Sequence, residues 1–199
     1  MNRSLVIAFV AMFAFVSQVF AAGYYSGRLP DSEYGPNPVL EIDAYTAYIQ
    51  QTQPAVSATA ARHIASVAYW EARRAGIQPS LVLAIMQIES TFNPNARNGG
   101  CFGLLQVNYR VHRQRIWRAE NAVGVKTMLN PRVNIHVGVS LLKKYLDESN
   151  GNVTRGLLRY NGAVHWNPYP IKVLAAQRRI RNYMIAYAYV DYQPSTATA

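Results

Sequence analysis

The chain has 199 residues, of which 50% are hydrophobic and 15% charged, and it carries a formal net charge of +10. This length allows one domain with a sizeable core and a leader, and it argues against two full domains. The only cysteine, Cys101, excludes an intramolecular disulfide, so that stability must come from packing. The positive charge favours anionic polymers as partners without identifying one.

Residues 1–21 have the pattern of a secretory signal peptide. Arg3 precedes an apolar run from Leu5 to Val16, and Ala21 offers a small residue for cleavage. The run is shorter than the roughly 20 residues that a spanning helix needs, and no cysteine follows it as a lipoprotein anchor. We therefore expect a periplasmic or secreted protein without a stable membrane anchor. Its accessible partners are wall carboxylates, teichoic acids or lipid head groups, and nucleic acid is not expected.

Residues 22–57 are interpreted as a linker or arm that contains one helix. Glycine, proline and tyrosine dominate from Gly23 to Pro38, and helical spacing follows from Val39 to Gln51. A small-residue helix is predicted over Ala58–Ala75, ended by Gly76. Together these patterns place the start of the main domain at residue 58.

A buried helix is predicted next, beginning at Pro79 and carrying the apolar run Leu81–Met86. Glu89 lies on its last turn, on the same face as Ile85 and Leu81. Burial and the negative end of the helix dipole both disfavour an ionised carboxyl. The pattern therefore predicts a protonated Glu89 near neutral pH, which a general acid requires.

The rest of the chain also has helical spacing, interrupted by loops. The stretch from Phe92 to Gly103 opposes both helix and strand, a helix or short strand begins within Gly103–Val107, and residues 108–130 are not assigned. Further helices are predicted over Pro131–Tyr145, Val153–Tyr160 and Ile171–Tyr189, and residues 191–199 form a disordered tail. The expected fold is mainly α, a helical globule over residues 58–190.

Four motifs follow one another in a fixed order. Glu89-Ser90 is followed by Phe92-Asn93-Pro94, then Gly103-Leu104-Leu105-Gln106, then Asn134-Ile135-His136-Val137-Gly138, and finally Tyr160-Asn161-Gly162-Ala163. This set resembles the goose-type-lysozyme-like family of soluble lytic transglycosylases over about residues 60 to 190. The resemblance implies a lysozyme-like fold with a substrate cleft. Three positions depart from the family pattern: Asn98 replaces Ser, Leu105 replaces Met, and Gly162 directly follows the Tyr-Asn pair.

The resemblance also assigns roles to side chains. It implies that Glu89 is the catalytic acid and that Tyr160 holds its carboxyl. Gln106 and Asn161 would bind the acetamido and hydroxyl groups of the sugar, because an amide both donates and accepts. Ser90 either satisfies backbone groups at the helix end or supports Glu89. With Ser90, the candidate substrate-binding residues are Gln106, Asn161, Asn98 and Leu105.

Many glycoside hydrolases use two carboxylates, but no Asp or Glu lies between Glu89 and Glu120. One carboxylate helped by the substrate is the simpler hypothesis. The resemblance implies cleavage of the bond between N-acetylmuramic acid and N-acetylglucosamine in peptidoglycan, with a 1,6-anhydro ring as product. Hydrolysis on the same fold is the alternative, and a non-catalytic wall-binding or assembly protein is a third hypothesis. The four histidines lack metal-ligand spacing, so neither a metal nor a cofactor is expected.

The run Tyr109–Arg118 interleaves basic and aromatic residues, a composition typical of nucleic-acid surfaces. For an exported chain we interpret it instead as a solvated basic face that meets an anionic wall. Cys101 is interpreted as a small buried side chain, with a nucleophilic role as the alternative. His165 and Trp166 either line the cleft or pack at its rim.

Overall fold

The structure is a computed structural model, and it describes residues 37–120, 124–163 and 165–191. Of the side chains within these ranges, those of residues 119, 120 and 189–191 are not described. The predicted signal peptide, the first part of the predicted arm and the predicted tail beyond Asp191 lie outside the described residues.

Seven α-helices make up most of the described chain, which confirms the mainly α prediction. They are α1 (Pro38–Thr52), α2 (Ala58–Arg74), α3 (Pro79–Ser90), α4 (Tyr109–Glu120), α5 (Pro131–Asp147), α6 (Val153–Tyr160) and α7 (Tyr169–Asp191). A 3-10 helix spans Val125–Leu129. In the described part of the chain, no helix is both long and apolar enough to cross a membrane.

Helix starts are set by local side-chain chemistry. The Ser57 side chain accepts from Ala60 N at the start of α2, and the Asn130 side chain accepts from Arg132 N and Val133 N at the start of α5. These caps satisfy backbone N–H groups that have no partner within a helix. Proline opens both α3 and α5, where its missing N–H costs nothing.

Helix α3 is the central helix of the core. Every residue from Pro79 to Met86 is buried, so the helix is enclosed on all sides rather than on one face. It packs against α2 and α7, and α1 packs against the same two helices. Helix α1 contributes Ile42, Tyr45, Tyr48 and Ile49 to this core. The C-terminal end of α3 therefore has a rigid position, which fixes the residues on its last turn.

A three-stranded antiparallel sheet follows α3, with the order β1 (Arg97–Asn98), β2 (Cys101–Phe102), β3 (Val107–Asn108). The expectation that the segment from Phe92 to Gly103 excludes strands was therefore wrong. Gly99 and Gly100 both have positive φ and form the turn between β1 and β2. Glycine-rich composition here marks a tight hairpin rather than an irregular loop. Helix α4 occupies part of the stretch that was left unassigned.

Candidate active site

Glu89 lies on the last turn of α3, half-buried at the end of the central helix. Burial raises the pKa of its carboxyl above the ordinary value, and a hydrogen bond from Tyr169 acts in the opposite direction. That bond, from the Tyr169 hydroxyl to Oε1 of Glu89, is 2.6 Å long. Glu89 is therefore held in place by a directed donor in a setting that favours its protonated form.

The chain turns sharply after Glu89. Thr91 and Phe92 adopt left-handed conformations with φ of 49° and 59°, which end α3 and direct the chain back across its own end. The Phe92 side chain is fully buried beneath this turn. Non-glycine residues in this conformation are uncommon and occur often at functional sites. The turn leaves the Glu89 carboxyl at the edge of the core.

The other acidic side chains that the structure describes are engaged elsewhere. Asp43 pairs with Arg62, Glu71 with Arg74 and His136, Asp147 with Lys143, and Glu148 with Lys144 and Arg159. Glu41 interacts with Arg73 and Tyr45. Among the described residues, no three His, Cys, Asp or Glu side chains cluster as metal ligands. Of the described acids, Glu89 is thus the one whose carboxyl has a phenol rather than a cation as its partner.

Tyr169 was not among the predicted site residues. The sequence predicts that the last helix begins at Ile171, whereas α7 begins at Tyr169 itself. Its backbone N–H donates to Oδ1 of Asn167 at 2.9 Å, and its ring is buried. Burial is the main cause that raises the pKa of its hydroxyl, and the negative charge of Glu89 adds to it, so that Tyr169 stays a hydrogen-bond donor. The Pro-Tyr-Pro signal for a helix start could have found this position.

Tyr160 was predicted to hold the Glu89 carboxyl, and the structure corrects that contact. Its hydroxyl donates to the Leu105 carbonyl oxygen at 2.8 Å. Burial raises the pKa of Tyr160 well above the ordinary value, and the nearby charge of Glu89 contributes to that rise. The charge of Glu89 therefore acts on the Tyr160 hydroxyl. The hydrogen bond of that hydroxyl fixes the backbone at Leu105.

Ser90 joins the end of α3 to the loop that contains Leu104. Its hydroxyl lies 3.0 Å from the carbonyl oxygen of Met86 and 2.8 Å from that of Leu104, so the single hydroxyl proton is shared between these two acceptors. The side chain thus satisfies backbone groups, which is the first of the two interpretations made from sequence. Because Ser90 is adjacent to Glu89, this contact also helps to hold the backbone next to the carboxyl.

The side chain of Asn134 holds the loop from β2 to β3 through three hydrogen bonds. Its Oδ1 accepts from Leu105 N at 2.8 Å, and its Nδ2 donates to the carbonyl oxygens of Phe102 at 2.8 Å and Met128 at 3.0 Å. Asn134 is 1% exposed, so water cannot reach its amide, and these three bonds satisfy the amide instead. The buried amide therefore fixes the backbone on both sides of Gly103.

Leu105 was predicted to contact substrate, but its side chain is buried and points into the core. A Cβ placed on Gly138 would lie 2.4 Å from Cδ1 and 2.8 Å from Cβ of Leu105, which real Cβ contacts do not reach. A Cβ on Gly103 would lie 2.3 Å from the Met128 carbonyl oxygen. These two motif glycines are thus required by close packing of the loop against α5, and Leu105 acts through its backbone and its packing.

Gln106 follows this loop in a left-handed conformation with φ of 44°. Its Nε2 donates to the carbonyl oxygens of Gly103 at 2.8 Å and Ala96 at 3.2 Å. The amide nitrogen thus joins the backbone at Ala96 to the backbone at Gly103. The side chain is half-buried, and both of these bonds are made by its nitrogen rather than its oxygen.

Asn161 and Asn98 are both exposed. Oδ1 of Asn161 accepts from Nδ2 of Asn167 at 2.9 Å, and Asn167 in turn caps the backbone of Tyr169. The predicted Asn161 is thereby connected to the phenol that holds Glu89. Asn98 lies on β1, opposite Cys101 in the register of the sheet.

The Cys101 thiol lies in the electrostatic field of Glu89. Burial raises its pKa, the charge of Glu89 raises it further, and a hydrogen bond with Asn108 acts in the opposite direction. A raised pKa disfavours the thiolate that nucleophilic catalysis needs. Cys101, which is opposite Asn108 in the register of the sheet, is therefore a neutral side chain in the field of Glu89.

Comparisons with known proteins show what the chain is similar to. The family described as "Transglycosylase SLT domain" matches residues 65–166, just over half of the chain. The transglycosylase of Enterobacteria phage PRD1 is 32% identical over 106 residues, which cover 49% of this chain and 37% of that protein. Membrane-bound lytic murein transglycosylase C of Histophilus somni is 40% identical over 84 residues, which cover 38% of this chain and 23% of that protein.

A solved structure of an inactive mutant of lytic transglycosylase Slt from Pseudomonas aeruginosa aligns with a TM-score of 0.47 and 20% identity, over 76% of this chain and 30% of that one. The chain thus spans well under half of the length of these proteins. The family match includes Glu89, the loop at Gly103–Gln106 and the Tyr160-Asn161 pair. The chain belongs to the transglycosylase SLT domain family.

Proposed function

We propose that this protein is a peptidoglycan lytic transglycosylase that cleaves the bond between N-acetylmuramic acid and N-acetylglucosamine, with Glu89 as the single catalytic carboxyl. The observation that carries the proposal is the setting of Glu89. It is half-buried, has a raised pKa and accepts a hydrogen bond from Tyr169, while the other described acids are engaged with cations. A carboxyl in such a setting is suited to donating a proton near neutral pH.

In the first step, protonated Glu89 donates its proton to the glycosidic oxygen as the bond from that oxygen to C1 of the muramic residue breaks. The carbonyl oxygen of the substrate's own 2-acetamido group bonds to C1 and supplies the second group that many glycosidases take from another carboxylate. Tyr169 continues to donate to Glu89 Oε1, now on a carboxylate, and so stabilises the charge that develops there.

In the second step, the Glu89 carboxylate removes the proton of the C6 hydroxyl. The C6 oxygen attacks C1, the bond from C1 to the acetamido oxygen breaks, and a 1,6-anhydro ring forms. Glu89 ends protonated, as it began, and water is not consumed. The buried setting helps both steps, because a carboxyl whose pKa is raised towards the working pH serves as acid and as base.

The proposed setting is the periplasm or the cell exterior, where peptidoglycan is accessible. This rests on the signal-peptide pattern of residues 1–21 and on the positive charge of the chain, which suits a polymer with free carboxylates.

Mass spectrometry of the products released from purified sacculi tests the reaction. Ring closure gives muropeptides with anhydro ends, and each lacks the mass of one water relative to the product of hydrolysis. Anhydro ends as the main product support the proposal. Reducing ends from the first time point would assign hydrolysis to the same site, and no release at all would favour a wall-binding protein.

A further inference from the structure

The exposed side of α4 combines arginines with large apolar side chains. Residues three and seven positions apart lie in rows along a helix. Two such neighbouring rows point away from the core, and we call them together the outer face of α4: Arg110, Arg113 and Trp117 in one row, and Val111, Gln114 and Arg118 in the other. All six residues are exposed, Val111 by 71% and Trp117 by 54%.

The opposite side of α4 attaches the helix to the fold. Tyr109, His112 and Ile116 form the inner row, in which Ile116 is fully buried. Nη1 of Arg115 donates to Oγ of Ser140 on α5 at 2.9 Å. The Tyr109 hydroxyl, at the start of the helix, accepts from Gly124 N at 3.0 Å. Because the helix is fixed from its inner side, its outer face has a constant orientation.

Among the described side chains, no ion pair offsets the positive charge of the outer face. Arg110, Arg113 and Arg118 form no ion pair with any side chain that the structure describes. Arg115 and Lys144 add positive charge near the inner row, where burial lowers the pKa of His112 and these two cations lower it further. The field around α4 therefore attracts anions.

We propose that the outer face of α4 docks the protein on the surface of a bilayer that contains anionic phospholipids. Arginines at such a surface contact lipid phosphates, while exposed tryptophan and valine side chains enter the boundary between head groups and acyl chains. A solvated polyanion would satisfy the arginines but would leave Val111 in water. The pairing of charge with exposed apolar side chains therefore favours a lipid surface over a glycan or a nucleic acid.

Docking through α4 would also hold the site at a fixed distance from the bilayer. The Oδ1 atom of Asn108, at the end of β3, accepts from Val111 N at 3.2 Å and caps the helix. Strand β3 pairs with β2, whose Cys101 lies in the field of Glu89. A short, hydrogen-bonded segment thus joins the outer face to the strand that carries Cys101. The proposal does not depend on which reaction the site performs.

The test uses the purified protein and two kinds of vesicle, phosphatidylethanolamine with phosphatidylglycerol, and phosphatidylcholine alone. The chain has three tryptophans, so Trp70→Phe with Trp166→Phe leaves Trp117 as the only indole. We expect a blue shift of Trp117 fluorescence with the anionic vesicles and none with phosphatidylcholine. Arg110→Glu with Arg113→Glu should weaken partitioning about tenfold or more, because each basic residue near an anionic surface contributes strongly.

Matched variants separate the outer face from the general charge of the chain. Arg178→Glu with Arg179→Glu makes the same charge change at two exposed positions of α7, and Trp70→Ala removes an indole that is 50% exposed on α2. Both should reduce vesicle binding much less than Arg110→Glu with Arg113→Glu or Trp117→Ala does. Circular dichroism checks that each variant keeps its helices, and Glu89→Gln should bind vesicles as the parent does.

Three results would overturn the proposal. The first is an absent blue shift of Trp117 with anionic vesicles, a measurement that needs no charge variant. The second is an equal loss of binding in the α4 and α7 charge variants. The third is a different dependence on Arg110 and Arg113: the protein's retention on purified sacculi or on a single-stranded oligonucleotide requires them, and its binding to vesicles does not. That result would assign the outer face to the polymer concerned.

Discussion

The Tyr169 hydroxyl donates a 2.6 Å hydrogen bond to Oε1 of Glu89, across 80 positions of sequence. The two residues lie at the end of α3 and the start of α7, and these two helices pack directly against each other in the core. The geometry of the carboxyl thus depends on a helix contact that forms only when the whole domain has folded.

Tyr169→Phe should lower turnover of sacculi and move the pH profile upward. The hydroxyl lowers the pKa of Glu89, so that its removal lets burial raise this pKa further. A loss of about tenfold to a hundredfold is expected from the loss of one hydrogen bond to a charged group. The measurement is the initial rate of muropeptide release against pH.

Tyr160→Phe is the matched control for that variant. It removes a hydroxyl that donates to the Leu105 carbonyl oxygen, so it should reduce the free energy of unfolding by about 1 kcal/mol and leave the position of the pH profile unchanged. A shifted profile in Tyr160→Phe together with an unshifted one in Tyr169→Phe would reverse the roles assigned to the two tyrosines.

Asn134→Leu should reduce the free energy of unfolding by about 2 to 4 kcal/mol, since three buried backbone groups lose their partner at once. Urea denaturation followed by circular dichroism measures the effect. Asn98→Leu replaces an exposed asparagine and should change stability by less than about 0.5 kcal/mol. Comparable losses in both variants would show that the contacts of Asn134 do not hold the loop.

Gly138→Ala should impair activity as well as stability, because the new Cβ meets Leu105, whose backbone is fixed beside the site. Gly156→Ala is the control: there the nearest atom is Cδ2 of Leu146, at 2.7 Å, and none of the three nearest atoms belongs to the loop at Leu105. We expect both variants to lower the melting temperature. Only Gly138→Ala should lower the rate of muropeptide release per folded molecule. Equal rates in the two folded variants would argue against the coupling of Gly138 to the site.

Glu41→Gln should stabilise the protein above neutral pH. Burial raises the pKa of Glu41 from 4.5 to about 7, with Arg73 and Tyr45 acting in the opposite direction. Because the folded state holds this proton more tightly than the unfolded state, stability falls as pH rises from 4.5 to about 7. The variant lacks that loss, so its gain should be at most about 3 kcal/mol at pH above 7 and absent below 4.5. A less stable variant above pH 7 would show that the attraction of Arg73 outweighs burial.

The sequence was sufficient for most helices because their apolar spacing is regular, and Glu89 could be placed on the last turn of α3 for the same reason. Helix α4 was not predicted, since its inner row holds only Tyr109, His112 and Ile116 among many arginines. Strands β1 and β2 were missed because each has only two residues and lies beside glycines, whereas β3 begins at Val107, where a helix or a short strand was expected to begin. The partner of Glu89 could not be found from spacing, because the contact with Tyr169 depends on the packing of α3 against α7.

The most direct test of the central claim compares Glu89→Gln with Glu71→Gln on purified sacculi. Both are half-buried glutamates on neighbouring helices, but Glu71 pairs with Arg74 and His136. We predict that Glu89→Gln lowers the release of anhydro-muropeptides about a hundredfold to ten-thousandfold and keeps the fold, while Glu71→Gln retains most activity. Turnover by Glu89→Gln at the parent rate would contradict the account.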